Sequence, residues 1–299
     1  MSPPYPPPSQ GAASLVGLPA PAKINVFLHV IGRRSDGYHL LQSVFALVDW
    51  FDEINLHIRP NGVSRTDVNA QVKLPNDDLM VRAARALQQV TGCTRGVHIE
   101  LKKRIPMQAG LGGGSSDAAT CLIALNRLWG LNLTRAQLIG VAAQLGADVP
   151  FFVGGYNAWV EGIGEQLTPL DLPASGITIV KPPAGVSTAE IFSSPLLTRD
   201  TNPATMLDFA EHRVAGQIEW QPYSFGRNDL QEPAAAVCPD IQAAIHWLQQ
   251  KNLTARMTGS GSAVFAVHAG AVDVSDARAD WVIHQGRVLD VHPLAHWVS

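Results

Sequence analysis

The chain has 299 residues, a formal charge of −3 and only 16% charged residues. That balance excludes a polybasic nucleic-acid binder and leaves little for electrostatic attachment to a membrane. The 46% apolar content supports a large core and excludes whole-chain disorder, and Cys93, Cys121 and Cys238, scattered and without a CxxC pair, read as reduced thiols of a cytoplasmic protein.

The first charge is Lys23, and the uncharged stretch before it is crowded with prolines. It lacks the positive start of a signal peptide, and proline interrupts any spanning helix. Residues 1–17 are therefore expected to be a disordered, Pro-rich tail. Ile24, Val26, Leu28 and Val30 alternate with Asn25, Phe27 and His29, which predicts a strand with one apolar face. A turn at Arg34-Ser35-Asp36-Gly37 delivers Tyr38 and His39. Strands are predicted at Val44–Val48 and Ile54–Ile58, and a helix at Leu79–Val90 behind the cap Asn76-Asp77-Asp78. Val97–Leu101 reads as a strand closed by the basic run Lys102-Lys103-Arg104.

The densest signal follows, Pro106-Met107-Gln108-Ala109-Gly110-Leu111-Gly112-Gly113-Gly114-Ser115-Ser116-Asp117. Glycines let the backbone approach an anion and turn several N–H groups toward it. A helix from Ser115 to about Trp129 would add its N-terminal amides and dipole. Ser115 and Ser116 offer hydroxyls to a phosphate or a phosphate-bound metal ion, and the basic run supplies local positive charge. No Gly-Lys-Ser/Thr follows, so this is no Walker A loop. A glycine turn with Ser115 as an ordinary helix cap is the plainer alternative.

A second helix is capped by Thr134 and ends near Gly146, and Gly146-Ala147-Asp148-Val149-Pro150 then places one carboxylate before a strand predicted at Val149–Val153. Asp148 is either a turn residue or a general base for a hydroxyl nucleophile, since phosphoryl transfer needs positioning, charge neutralisation and a proton acceptor. Lys23 is either a strand-rim residue or the ammonium partner of Asp148. Further strands are predicted at Asn157–Glu161 and Ile177–Lys181, and helices at Pro203–Ala215, Asp229–Val237 and Ile241–Gln250. Thr258-Gly259-Ser260-Gly261-Ser262, between strands at Ala255–Met257 and Val264–Val267, is a hairpin or a second phosphate contact. Strands and helices alternate without the rhythm of a doubly wound sheet, which points to an α+β class.

With these pieces in order, the chain resembles the GHMP kinases, the superfamily of galactokinase, homoserine kinase and mevalonate kinase. The first strand, the Pro106–Ser116 loop and the Thr258–Ser262 turn correspond to its three motifs. Ala22–Val30, Gly32–His39, Gly110–Asp117 and Gly146–Pro150 look most like the branch whose acceptor is a cytidyl-diphospho-methylerythritol of the non-mevalonate isoprenoid route. The resemblance runs from about Leu18 to Val267. It implies a two-lobed fold with the active site in the inter-lobe cleft, an N-terminal domain over 18–164 and a C-terminal domain over 165–299. It implies transfer of the γ-phosphate of ATP, with Mg2+, to an alcohol of a small molecule, without nucleic acid or membrane partners. Asp148 falls on the base and Lys23 on the lysine beside it. Asn25, Tyr38, His39 and Phe192 fall on substrate contacts, the aromatic residues enclosing the cytosine and His39 hydrogen-bonding it. Gly110, Gly112, Gly113, Gly114, Ser115 and Ser116 fall on the ATP loop, and Lys103 on a lysine near the nucleotide. The resemblance leaves the magnesium ligands unassigned, and nothing bears on oligomeric state. Gln108-Ala109 stands where many members have two glycines, and Asp78 where an asparagine often meets adenine. Another small alcohol as acceptor, or a nucleotide-binding module without catalysis, are the other readings.

Overall fold

The structure, a computed structural model, describes residues 5–7, 12–69, 74–213 and 220–299. The N-terminal half runs β1 (Ser14–Arg33), β2 (His39–Arg59), β3 (Val63–Asp67), α1 (Leu79–Thr91), β4 (Gly96–Lys102), α2 (Gly113–Leu128), α3 (Arg135–Ala142), α4 (Val149–Gly154), β5 (Ala158–Glu161) and β6 (Gln166–Pro169). The C-terminal half continues with β7 (Gly176–Lys181), α5 (Thr188–Ser193), α6 (Met206–Ala210), α7 (Gln231–Val237), α8 (Asp240–Gln250), β8 (Ala255–Met257), β9 (Val264–His268) and β10 (Val282–Leu289). The strands join in one sheet of order β3-β4-β2-β10-β7-β9-β8, with β1 and β5 paired to β2 and β6 to β5.

β1 begins at Ser14, inside the stretch expected as tail, and pairs Ser14 with His57 and Leu15 with Leu56. Its prolines Pro19 and Pro21 are tolerated because β2 is the one strand paired with β1 among the described residues, and the bridge on its other side, Leu28 to Asn228, lies away from them. Most of the proline run itself lies outside the described residues.

Where two strands were expected between Val44 and Ile58, one long β2 runs through. The interruption was Asp49, Asp52 and Glu53, polar residues in an apolar pattern. Asp52 is buried inside the strand because Lys103 and the backbone amides of Arg104 and Ile105 satisfy its carboxylate. The strand expected at Val149–Val153 is instead helix α4. A run of five apolar residues does not distinguish a buried strand from a buried helix turn. Pro150 suits the first helical turn, and Gly155, at φ 82°, ends the helix in the left-handed conformation.

The helix expected over Pro203–Ala215 shrinks to α6, its last two residues lying outside those described. β10 was not expected at all. It pairs Val288 with Val48 and Leu289 with Leu47 on one side, and runs antiparallel to β7 on the other, carrying the sheet from one half to the other.

Helix α2 is buried nearly all round, from Ser116 to Leu128, as an apolar central helix should be. It packs with Met80, Leu87, Leu47, Ile99 and Phe151 in one core. A second core, around Ile191, Ile241, Leu248, Met257 and Val264, stabilises the C-terminal half. Phe27, Val44, Trp159, Ile177 and Phe265 belong to a third. Among the described residues, no helix is long and apolar enough to cross a membrane.

Candidate active site

The glycine-rich loop lies between β4 and α2, and its backbone is held on both sides. Lys23 N of β1 donates to Leu111 O at 2.9 Å. From the other side, Ala263 N reaches Ala109 O at 3.2 Å, Ser262 N reaches Gln108 O at 3.3 Å, and Thr258 Oγ1 donates to Gly110 O at 3.4 Å. The second glycine turn therefore braces the first. Gly110, at φ 73°, sits so close that an added Cβ would lie 2.1 Å from Thr258 O. Gly110→Ala should cost more than about 2 kcal/mol and raise KM for ATP at least tenfold, because both the left-handed backbone and the contact forbid a side chain. Urea unfolding and ATP kinetics check this. Gln108, where glycine is common in the resembling family, takes φ 50°, so this loop adopts the glycine conformation without the glycine.

The first backbone bond of α2 runs from Ser116 N to Gly112 O. The amides of Gly113, Gly114 and Ser115 thus point out of the helix N-terminus, and those residues line a cleft of about 810 Å³. Such a terminus, with glycines that admit close approach, has the geometry to take an anion such as a phosphate group. Ser116 Oγ is buried and has no hydrogen-bond partner among the described residues.

Lys23 and Asp148 meet in the same cleft, brought together from β1 and the start of α4, with Nζ 3.6 Å from Oδ2. The lysine side chain is 5% exposed and the aspartate 30%, so the acid remains open to a ligand. Lys23 Nζ donates to Asn25 Oδ1 at 2.7 Å and lies 4.5 Å from the centroid of Phe45, over its ring face. Ser43 Oγ donates to Phe27 O and so must accept from Asn25 Nδ2, at 3.0 Å. That fixes the Asn25 amide with its oxygen toward Lys23. Asn25 N in turn donates to Thr258 Oγ1 at 2.9 Å, tying the pair to the braced loop.

Lys103 also lines the cleft, but its charge is taken up by acids. It pairs with Asp52, and with Asp117 at 2.8 Å; both carboxylates are buried. Arg104 pairs with Glu53 at 2.6 Å. The local positive charge expected of the Lys102-Lys103-Arg104 run is therefore largely neutralised, because β2 places Asp52 and Glu53 beside it. Burial alone would lower the Lys103 ammonium, but Asp117 and Asp52 outweigh it and raise it. Asp117 moves up to about 8 through burial, opposed by Lys103 and helped by repulsion from Asp52. Its Oδ1 has no partner. Asp78 caps α1 by accepting from Val81 N at 3.1 Å and pairs with Arg65 at 2.9 Å, which explains an acid there without a ligand.

Phe192, at the end of α5, lines the cleft as well. Tyr38 and His39 sit beyond its wall: Tyr38 is exposed, and His39 stacks on Phe192 with centroids 5.0 Å apart at 30°. The loop residues Gly110, Gly112, Gly113, Gly114 and Ser115 thus share one cavity with Lys23, Asn25, Asp148 and Phe192, whereas Ser116 is buried and does not line it, and the Tyr38-His39 turn joins it through Phe192. Sequence reasoning missed Ser43, Phe45 and Asp52. Only Asp52, one of three acids (with Asp49 and Glu53) in an otherwise apolar strand, left a signal.

The chain matches the GHMP kinases N terminal domain model over residues 78–156 and the GHMP kinases C terminal model over 219–284. It is 53% identical over 295 residues to 4-diphosphocytidyl-2-C-methyl-D-erythritol kinase of Polaromonas naphthalenivorans, covering 97% of this chain and 98% of that one. It is 56% identical over 290 residues to the kinase of the same name from an Acidovorax species, covering 95% and 99%. A crystal structure of 4-(cytidine 5'-diphospho)-2C-methyl-D-erythritol kinase superposes with a TM-score of 0.75 at 33% identity, covering 92% of this chain and 98% of that one. Homoserine kinase of Cytophaga hutchinsonii, at 17% identity and a TM-score of 0.69 over 96% of this chain and 99% of that one, shares the fold. At this identity and over nearly the whole of each chain, the relatives show that the chain belongs to the 4-diphosphocytidyl-2-C-methyl-D-erythritol kinase family, small-molecule kinases of the GHMP superfamily.

Proposed function

We propose that the protein transfers the γ-phosphate of ATP to the 2-hydroxyl of 4-diphosphocytidyl-2-C-methyl-D-erythritol, in the non-mevalonate route to isoprenoid precursors. The observation that carries this is the Lys23–Asp148 pair, 3.6 Å apart, in the cleft that the N-terminus of α2 also lines. The names of the relatives above support the choice of acceptor.

In this reading the amides of Gly113, Gly114 and Ser115 bind the ATP phosphates and orient the γ-phosphoryl group. Asp148 accepts the proton of the acceptor hydroxyl as its oxygen attacks phosphorus. Lys23, held by Asn25 and by the Phe45 face, offers its ammonium to charge developing on the transferred group. Little covalent chemistry falls to the protein, so positioning and charge supply the catalysis.

Among the described residues, no cluster of three metal-binding side chains exists. That suits a magnesium ion that arrives on phosphate oxygens and needs one or two protein ligands. Ser116 Oγ, buried in the first turn of α2 and unpartnered among the described residues, is the oxygen that would hold it. When bound, the metal neutralises charge on the phosphates.

Release of ADP, measured with the cytidyl substrate, mevalonate and homoserine in turn, tests the assignment. The cytidyl substrate is expected to give a kcat/KM at least about a hundredfold above the other two. Faster turnover of mevalonate or homoserine would sink it.

A further inference from the structure

A guanidinium sits behind the His39–Phe192 stack. Arg199 Nε donates to His39 Nε2 at 3.2 Å. Its Nη2 donates to Phe192 O at 3.0 Å and Ser194 O at 2.9 Å, and its Nη1 to Leu197 O at 3.1 Å. One side chain therefore satisfies carbonyls at the C-terminal end of α5 and anchors the histidine stacked on it. Arginine is permanently charged and can only donate, so the imidazole nitrogen facing it must be the acceptor.

We propose that Arg199 is a positioning residue of the nucleobase pocket, making His39 a neutral Nδ1–H donor that selects cytosine over uracil. This rests on the reading of Tyr38, His39 and Phe192 as base contacts. A neutral imidazole carries one proton, and with Nε2 accepting from Arg199 that proton is on Nδ1. Burial, then Arg199 and Arg33, hold the His39 imidazolium below its usual range, so the ring is neutral at pH 7. Cytosine N3 is an acceptor and meets an Nδ1–H donor. Uracil N3 carries a hydrogen, so the same donor would face another donor, an unpaired arrangement that binding does not tolerate cheaply. The grip on the Phe192 and Ser194 carbonyls sets the aromatic wall in register with that donor.

Three measurements decide it, with cytidine 5′-diphosphate and uridine 5′-diphosphate as probes. Nitrogen-15 imidazole spectra of the parent protein, with His39 identified by its loss in His39→Gln, should show Nδ1 protonated and Nε2 bare. The parent should bind the cytidine diphosphate at least about tenfold more tightly than the uridine one. Arg199→Met should cut that preference at least about fivefold, and Arg199→Lys, which keeps a donor, should restore part of it. Loss of the kinase reaction should fall mainly on KM for the cytidyl substrate, with a smaller change in KM for ATP.

A ring protonated on Nε2 in the parent overturns the proposal, as does Arg199→Met weakening both diphosphates equally with the preference intact. Should Arg199→Met fail to fold, the parent spectrum still decides. Equal binding of the two diphosphates by the parent overturns the proposal and leaves the kinase reading standing. Binding of neither overturns both.

Discussion

Asp148→Asn should lower kcat by about 10²–10⁴-fold while the fold and ATP binding persist, because a positioned base contributes that much and an amide cannot take the proton. The substitution is nearly isosteric. The carboxylate is 30% exposed and makes no side-chain cap to α4, and Lys23 Nζ keeps its bond to Asn25 Oδ1 while losing the counter-charge, so the variant should unfold within about 2 kcal/mol of the parent. The loss must appear in kcat more than in KM for ATP, since the amides proposed to bind the ATP phosphates belong to α2 and are untouched. Lys23→Met should behave differently. It removes a buried ammonium that Asn25 Oδ1 and the Phe45 face are arranged around, leaving the Asn25 acceptor unpaired. It should therefore cost stability as well as kcat. Single-turnover phosphorylation of the cytidyl substrate, with urea unfolding alongside, separates the two. Turnover of Asp148→Asn within about tenfold of the parent would remove Asp148 from the role of base.

Much of the cleft was legible in the chain because its chemistry needs unusual residues in short runs. A backbone that approaches phosphate needs glycines, and Gly110, Gly112, Gly113 and Gly114 cannot be hidden in a sequence. Lys23 and Asp148, separated by β1 through α3, stand out because each interrupts apolar neighbours. What joins them is not legible. Ser43 fixes the Asn25 amide, and Thr258 reaches both Asn25 N and Gly110 O, through hydrogen bonds between residues more than two hundred positions apart in part. β10 escaped because His284, Gln285, Gly286 and Arg287 give it no apolar alternation. It is a strand because β2 and β7 offer it pairing on both sides, a tertiary cause that local propensity does not carry. The helix at Val149–Gly154 failed for the opposite reason, an apolar run that burial explains in either conformation. The basic run before the glycine loop misled because charge was counted without the acids that β2 brings alongside it.

Those acids give the other large effect. Among the described residues Lys103 is the cation seated between Asp52 and Asp117, so Lys103→Met leaves two buried acidic side chains with no ammonium between them. Removing one partner of a buried ion pair costs about 3–5 kcal/mol, and here the loss should lower Tm by roughly 6 °C or more. KM for ATP should rise too, since Lys103 Nζ lies only 2.9 Å from where a Cβ on Gly113 would be and forms the floor beneath the loop. Asp117→Asn should do far less near pH 6, within about 1 kcal/mol, because Lys103 and Asp52 then form an even pair and the amide oxygen still accepts from Lys103. The two variants also differ in pH dependence. Asp117 is raised from the ordinary 3.8 to about 8 in the folded protein, so between those values the native state holds a proton that the unfolded chain releases. Stability should therefore fall as pH rises through that window and level off above it. Asp117→Asn removes this slope and Asp52→Asn weakens its cause, whereas histidines titrate alike in parent and variant and cancel in the difference. Urea unfolding at pH 5.5, 7 and 8.5 reads all of this. A parent and an Asp117→Asn variant with parallel pH profiles would refute the shared-proton account, and a Lys103→Met variant within about 1 kcal/mol of the parent would show the lysine to be dispensable to the fold.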